Sequence, residues 1–282
     1  MSADALEDYV QKWREASPHR AMAWLFLRHD ERVRHGALAA LEHEWLRGVR
    51  EVQEPQVAAA KLGWWREEMQ RAAQGQARHP LTQALFADAR IKDVPPTCWT
   101  APVEAAIVAF TATPPADFAS QCESAAPLAH ALAELETRVW FGEGIDTRKA
   151  GRVALFDHLV TNTRALEAEA GHGRSPVPMN LLARHGLTID GLGHDSPQRR
   201  AALRDYLTEL ERGLADAAKM PGALTLFRAA GLQQDHHALG RALRAEDPLS
   251  SLRVPAYGMR GLLKTWRAAR TWRGMARSGS RT

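Results

Sequence analysis

Apolar residues recur on one side of successive stretches of the chain, and residues that start or stop helices bracket each stretch. Ser2 caps a first helix that runs to about Ala16, where Pro18 breaks it. A short stretch follows, His19 to Arg28, apolar on one side. Asp30 then caps a long helix from Glu31 to Val52, and Pro55 opens another to about Ala73, before Gly75. His79-Pro80 starts a short helix ending near Ala89, and Pro95-Pro96 marks a loop. Further helices are predicted over Thr100 to Phe110, Ala116 to Phe141 and Arg148 to Ala170, the last ended by Gly171 and Gly173. Gly171 to Pro178 reads as an irregular loop. Met179 to His185 is a short helix, and Ser196-Pro197 opens a long one to Lys219, with a cap residue followed by proline at the first helical position. Gly222 to Ala230, Gln233 to Arg244 and Tyr257 to Ala276 complete the set. The prediction is an all-α fold, a single-domain bundle of antiparallel helices joined by short loops.

Composition agrees with that pattern. Ala, Leu, Arg and Glu dominate the 282 residues, while Val, Ile, Thr and Tyr are sparse, so helices are favoured over strands. A hydrophobic fraction of 45% supplies a packed interior and excludes a disordered chain. Two cysteines, Cys98 and Cys122, make no disulfide framework, which suits a reducing, cytoplasmic compartment. The segment Met1 to Val10 is too polar for a signal peptide, and no apolar run is long enough to span a bilayer.

Charge adds one asymmetry. The formal net charge is +4, but Tyr257 to Thr282 carries Arg260, Lys264, Arg267, Arg270, Arg273, Arg277 and Arg281 with no acid. On a helical wheel Met259, Leu262, Leu263, Trp266 and Ala269 fall on one side, and Arg260, Lys264 and Arg267 on the other. Such a helix can lie on an anionic membrane from the inner face, or pack its apolar stripe onto the bundle. Residues 274–282 are expected to form a flexible basic tail. No signature of a nucleic-acid-binding module accompanies the basic segment, so nucleic acid is not an expected partner.

Two segments carry a resemblance. Lys61-Leu62-Gly63-Trp64-Trp65-Arg66-Glu67-Glu68-Met69 is followed by Gly75 and His79-Pro80-Leu81. Gly173-Arg174-Ser175-Pro176-Val177-Pro178 is followed by Leu181-Leu182-Ala183-Arg184-His185-Gly186-Leu187. In order and spacing these runs, with Leu262-Leu263-Lys264-Thr265-Trp266-Arg267, resemble the squalene/phytoene synthase family. The resemblance implies an isoprenoid-synthase fold with a deep central cavity. It also implies head-to-head joining of two prenyl diphosphates, with Mg²⁺ held by two aspartate-rich motifs on facing helices. Mg²⁺ takes oxygen ligands, and carboxylates one helical turn apart can share an ion cluster.

Both motifs are degraded here. The first should follow Arg47, with paired aspartates near Arg50 and Glu51, so that one carboxylate has become a cation. The second should follow Arg164, but its first aspartate falls on Ala165 and its second on Glu169. No metal is expected from such a set, and Mg²⁺ only if the chain is an active enzyme. Glu42, Glu44, Glu51, Glu167 and Glu169 then read as solvated helix acids.

Arg47, Arg50, Arg164 and Arg174 are candidate phosphate-binding residues, since guanidinium matches phosphate geometry, or else ordinary surface arginines. Asp157, Thr161 and Arg164 share one helical face, where they would hold a polar group or form a local ion pair. Trp64 and Trp65 would line a prenyl cavity or belong to the core. His43, His158 and His172 would act as bases or ligands, or else read as helix-surface or loop histidines. Small residues, among them Ala37, Ala39, Ala40 and Ala58, would leave the bundle's centre open.

The leading reading is a diverged, non-catalytic protein resembling this family, in the manner of its members that assist respiratory complex assembly, or one that binds an isoprenoid lipid. The alternatives are an active prenyltransferase of squalene, phytoene or hopanoid synthesis, and a peripheral membrane protein that binds a lipid phosphate. A prenyl or other lipid ligand, an anionic membrane surface and a protein partner are the partners these readings imply.

Overall fold

The computed structural model describes residues 3–50, 52, 54–110, 113–255, 263, 265–270 and 272. Among them there is no strand, and helices account for nearly all regular structure. The order is α1 (Ala3–Ala16), α2 (Pro18–Trp24), α3 (His29–Arg50), α4 (Pro55–Ala73), α5 (Pro80–Phe86), α6 (Pro96–Phe110), α7 (Phe118–Phe141), α8 (Arg148–Arg164), α9 (Leu166–Gly171), α10 (Met179–Arg184), α11 (Pro197–Lys219), α12 (Leu226–Ala242) and α13 (Pro248–Arg253). No helix among the described residues is long and apolar enough to cross a membrane.

The starts follow local chemistry. Proline occupies an early helical position in α4, α5 and α11, where a missing N–H costs nothing. The Ser196 side chain accepts from the Arg199 N–H at the head of α11. Asp117 and Ser120 form a reciprocal capping box at α7, and Thr225 accepts from the Arg228 N–H at α12.

Several boundaries depart from the expected pattern, among them the start of α6 at Pro96, inside the expected loop and four residues before Thr100. The helix foreseen over His19 to Arg28 stops at Trp24, and α13, capped by Asp247, was not foreseen. The two helices expected on either side of Gly231 are one, α12. A helix tolerates an internal glycine at a cost of about 1 kcal/mol, and here burial of both halves outweighs it. The single helix expected from Arg148 to Ala170 instead breaks at Ala165. The cause is lateral: Arg253 Nε donates to the Arg164 carbonyl at 2.7 Å, occupying an acceptor that an unbroken helix would use.

Two hydrophobic clusters fill the interior. The first is built around Leu27, Leu38, Leu41, Trp45, Leu62 and Trp99. The second is built around Leu155, Phe156, Leu159, Leu203, Tyr206 and Leu210. Helix α7 contributes to both, with Leu128, Leu132 and Leu135 in the first and Ala129 and Ala133 in the second. Gly213 lets α11 approach α8 closely, since a Cβ there would collide with the Phe156 ring. The tryptophan-rich run of α4 divides: Trp65 is core, 4.7 Å from the His79 ring, whereas Trp64 is largely exposed. Glu68 is fully buried and accepts from the backbone N–H groups of Arg78 and His79 and from the Thr82 hydroxyl, at 2.7, 2.8 and 2.6 Å. That carboxylate therefore pins the turn between α4 and α5.

The closing segment is helical over residues 265–270. It docks through Thr265, Ala269 and Trp272, and Trp272 lies 5.3 Å from Trp140. The apolar stripe read from the wheel is thereby divided, because Leu263 and Trp266 face outward while Ala269 is buried. Met259, Arg260, Leu262, Lys264 and the expected basic tail, residues 274–282, lie outside the described residues.

Candidate functional site

Helices α2, α3, α7, α8 and α12 bring a set of charged side chains into the interior. Asp157, on α8, pairs with Arg20 of α2 and, at 3.2 Å, with Arg228 of α12. Arg228 also holds Glu136 of α7 in a bidentate pair at 2.6 and 3.0 Å. The Glu42 carboxyl of α3 faces Glu136. About two turns along α12, Asp235 accepts from Arg164 at 2.8 Å. Glu42, Glu136, Asp157, Arg228 and Asp235 are all buried, so this ionic group bridges the two hydrophobic clusters.

Burial governs how these groups hold protons. Desolvation, and then the neighbouring Glu136, push the Glu42 carboxyl well above the usual carboxylate range, against the pull of Arg228. Burial likewise pushes Asp235 up, to about 7, although Arg164 opposes it. Asp88, by contrast, is half-exposed and paired with Arg34 at 2.7 Å, and its pKa falls to about 2.

The ionic group forms one wall of a cavity of about 220 Å³. Arg20, Glu42, Asp157, Thr161, Arg164, Arg228 and Gln234 line its polar side, and Trp13, Ala39, Leu132, Ala154 and Leu252 its apolar side. A second cavity, of about 290 Å³, shares Leu46 and His158 with the first. Its lining includes Pro115, Ala125, Leu128, Glu169 and Arg174.

The residues singled out in the sequence fall in different places. Asp157, Thr161 and Arg164 do face one cavity, but Asp157 and Arg164 are not a local pair, since each bonds to α12. Arg174 donates to Glu169 at 2.7 Å, and Arg47 to Glu44 at 3.2 Å. Glu42, Glu44 and Glu169 are buried rather than solvated, and Glu167 is shared by Arg199 and Arg253. Ala165 occupies the break between α8 and α9. His43 and His158 line the first cavity, His158 sits 3.0 Å from the Asn162 amide, and His172 is 3.1 Å from Arg174. Trp64 and Trp65 line neither cavity. Of the first motif, Glu51 lies outside the described residues, and Arg50 closes α3.

The polar residues of the site that were not foreseen are Arg20, Glu136, Gln234, Arg253, Arg228 and Asp235. A signal for the last two exists, because Arg228 and Asp235 are seven residues apart and so share a helical face. The assumed helix break at Gly231 hid it.

Comparison with known proteins adds the following. A model described as squalene/phytoene synthase matches residues 13–260. A dehydrosqualene synthase crystallised in complex with ligand superposes with a TM-score of 0.73 at 11% identity, covering 96% of this chain and 97% of that one. The squalene synthase HpnC from Alicyclobacillus acidocaldarius superposes with a TM-score of 0.57 at 16% identity, covering 98% of this chain and 95% of that one. At such identities these two structures are alike in fold. No curated protein matches.

Proposed function

The chain belongs to the squalene/phytoene synthase family, and from that premise we propose that it is a diverged member that holds a ligand in the bundle without condensing prenyl diphosphates. The observation that carries this reading is the state of the second acidic motif. Ala165 supplies no ligand atom, and Glu169 accepts from Arg174 at 2.7 Å. A single carboxylate held by an arginine does not fit Mg²⁺, which needs oxygen ligands free to share with phosphate. Among the described residues no group of three or more His, Cys, Asp or Glu side chains gathers at metal-binding distances.

The arginines point the same way. Phosphate recognition needs uncompensated guanidinium groups, but Arg164 is matched by Asp235 and Arg174 by Glu169. The test is incubation of purified protein with farnesyl or geranylgeranyl diphosphate and Mg²⁺. No squalene, phytoene or presqualene diphosphate is expected. Turnover that disappears in Glu51→Ala or Glu169→Ala would establish the prenyltransferase alternative in its place.

A further inference from the structure

A cavity that has lost its fit to a diphosphate still has a chemistry of its own. Each guanidinium on the wall of the first cavity already faces a carboxylate: Arg20 has Asp157, Arg164 has Asp235, Arg228 has Glu136 and Asp157, and Arg253 has Glu167. An anion entering there meets charge that is balanced and desolvated, and it gains little. A cation meets the same balance.

Outside those ion pairs the wall still offers a buried donor and a buried acceptor without a protein partner. Gln234 Nε2 and Glu42 Oε1 are both enclosed, both belong to side chains at least nine-tenths buried, and neither has a hydrogen-bond partner among the described residues. Leaving such atoms unmade costs about 1–3 kcal/mol each, so a ligand that satisfies both recovers that cost. A hydroxyl oxygen placed between the two would accept from the Gln234 amide and donate to Glu42. Around this polar spot the cavity is apolar, with Trp13, Ala39, Leu132 and Ala154 on its walls. Past Leu46 and His158 the second cavity continues the apolar lining with Pro115, Ala125 and Leu128.

We propose that the two cavities hold one uncharged long-chain alcohol, its hydroxyl between Gln234 and Glu42 and its tail passing Leu46 toward Leu128. The inference rests on the non-condensing reading above, in that a transferase site would prefer the diphosphate. It can nevertheless fail by itself, because binding is measured without Mg²⁺ and without turnover.

The experiment is equilibrium dialysis of the full chain against labelled farnesol, and separately against farnesyl diphosphate. Farnesol is expected to bind at least about tenfold more tightly than the diphosphate, a difference of about 1.4 kcal/mol. Gln234→Leu should weaken farnesol about tenfold while leaving the weak diphosphate binding unchanged. Leu46→Trp, placed where the cavities meet, should weaken farnesol but spare geraniol, whose shorter tail ends before that wall. The variant also decides the matter if Gln234→Leu fails to fold. No farnesol binding, tighter binding of the diphosphate, or indifference of farnesol to both substitutions would overturn the proposal. A condensation product in the earlier assay with farnesol binding as described would instead overturn the non-condensing reading alone.

Discussion

At the residue scale, the informative positions are the acids that should have been solvated and are not. Glu42 lies on an amphipathic helix whose polar positions give no hint of which one turns inward. Its burial is decided by Glu136 and Arg228, which come from segments about ninety and nearly two hundred residues away, and no local pattern encodes such a meeting. Asp157, Thr161 and Arg164 were legible as one face because their spacing within a single helix fixes their direction. Glu42 also has a pH signature. Its folded pKa is raised, so between the ordinary value of 4.5 and the raised one the native state holds a proton that the unfolded chain has lost. Stability therefore falls as pH rises through that window. Facing Glu42 are Glu136, Arg228 and Arg20, of which only the two arginines favour ionisation. Glutamine imitates the protonated form. Glu42→Gln is expected to unfold at about the same urea concentration as the parent near pH 4.5, and at a higher one by pH 8. A gain that shrinks as pH rises would contradict the assignment.

At the scale of elements, starts were far more legible than ends and breaks. Caps and early prolines are local chemistry, and α4 and α11 begin and end where the sequence pattern predicts. The break at Ala165 was invisible because its cause is Arg253, on a helix that was itself unforeseen. The closing helix shows a different limit. A helical wheel identifies apolar positions but does not say which of them the neighbours need. Trp140 takes Trp272, and Leu263 and Trp266 are left outward, with Arg270 stacked over the Trp266 ring at 4.9 Å. An exposed tryptophan and leucine beside arginines suit an anionic bilayer surface, where the ring enters the interface and each nearby cation contributes about 1 kcal/mol. The expectation is sedimentation with phosphatidylserine-containing vesicles at low salt and release at high salt. Trp266→Ala should reduce binding and Thr265→Ser, on the docked face, should not. Absence of binding at low salt would remove the membrane from consideration.

At the scale of the whole molecule, the all-α bundle was legible because caps, breakers and helix formers agree along its length. The division of its interior was not, since that depends on which helices meet. Between the two hydrophobic clusters Arg228 reaches both Glu136 of α7 and Asp157 of α8. Such an ionic bridge is a poor way to gain stability, because desolvating the charges offsets their attraction. Its removal can separate cost from purpose. Arg228→Ala leaves Glu136 and Asp157 without their shared cation in a buried setting, and a loss of about 3–5 kcal/mol is expected. Glu136→Leu with Arg228→Met replaces the closest pair by apolar groups of similar volume, leaving Asp157 to Arg20. That double variant should recover most of the loss in urea unfolding, while the polar wall beside Glu42 and Gln234 is altered. If it folds as stably as the parent yet no longer retains farnesol, the charges serve the cavity rather than the fold. If it is no more stable than Arg228→Ala, the ionic bridge is itself a structural necessity, and the two clusters do not pack without it.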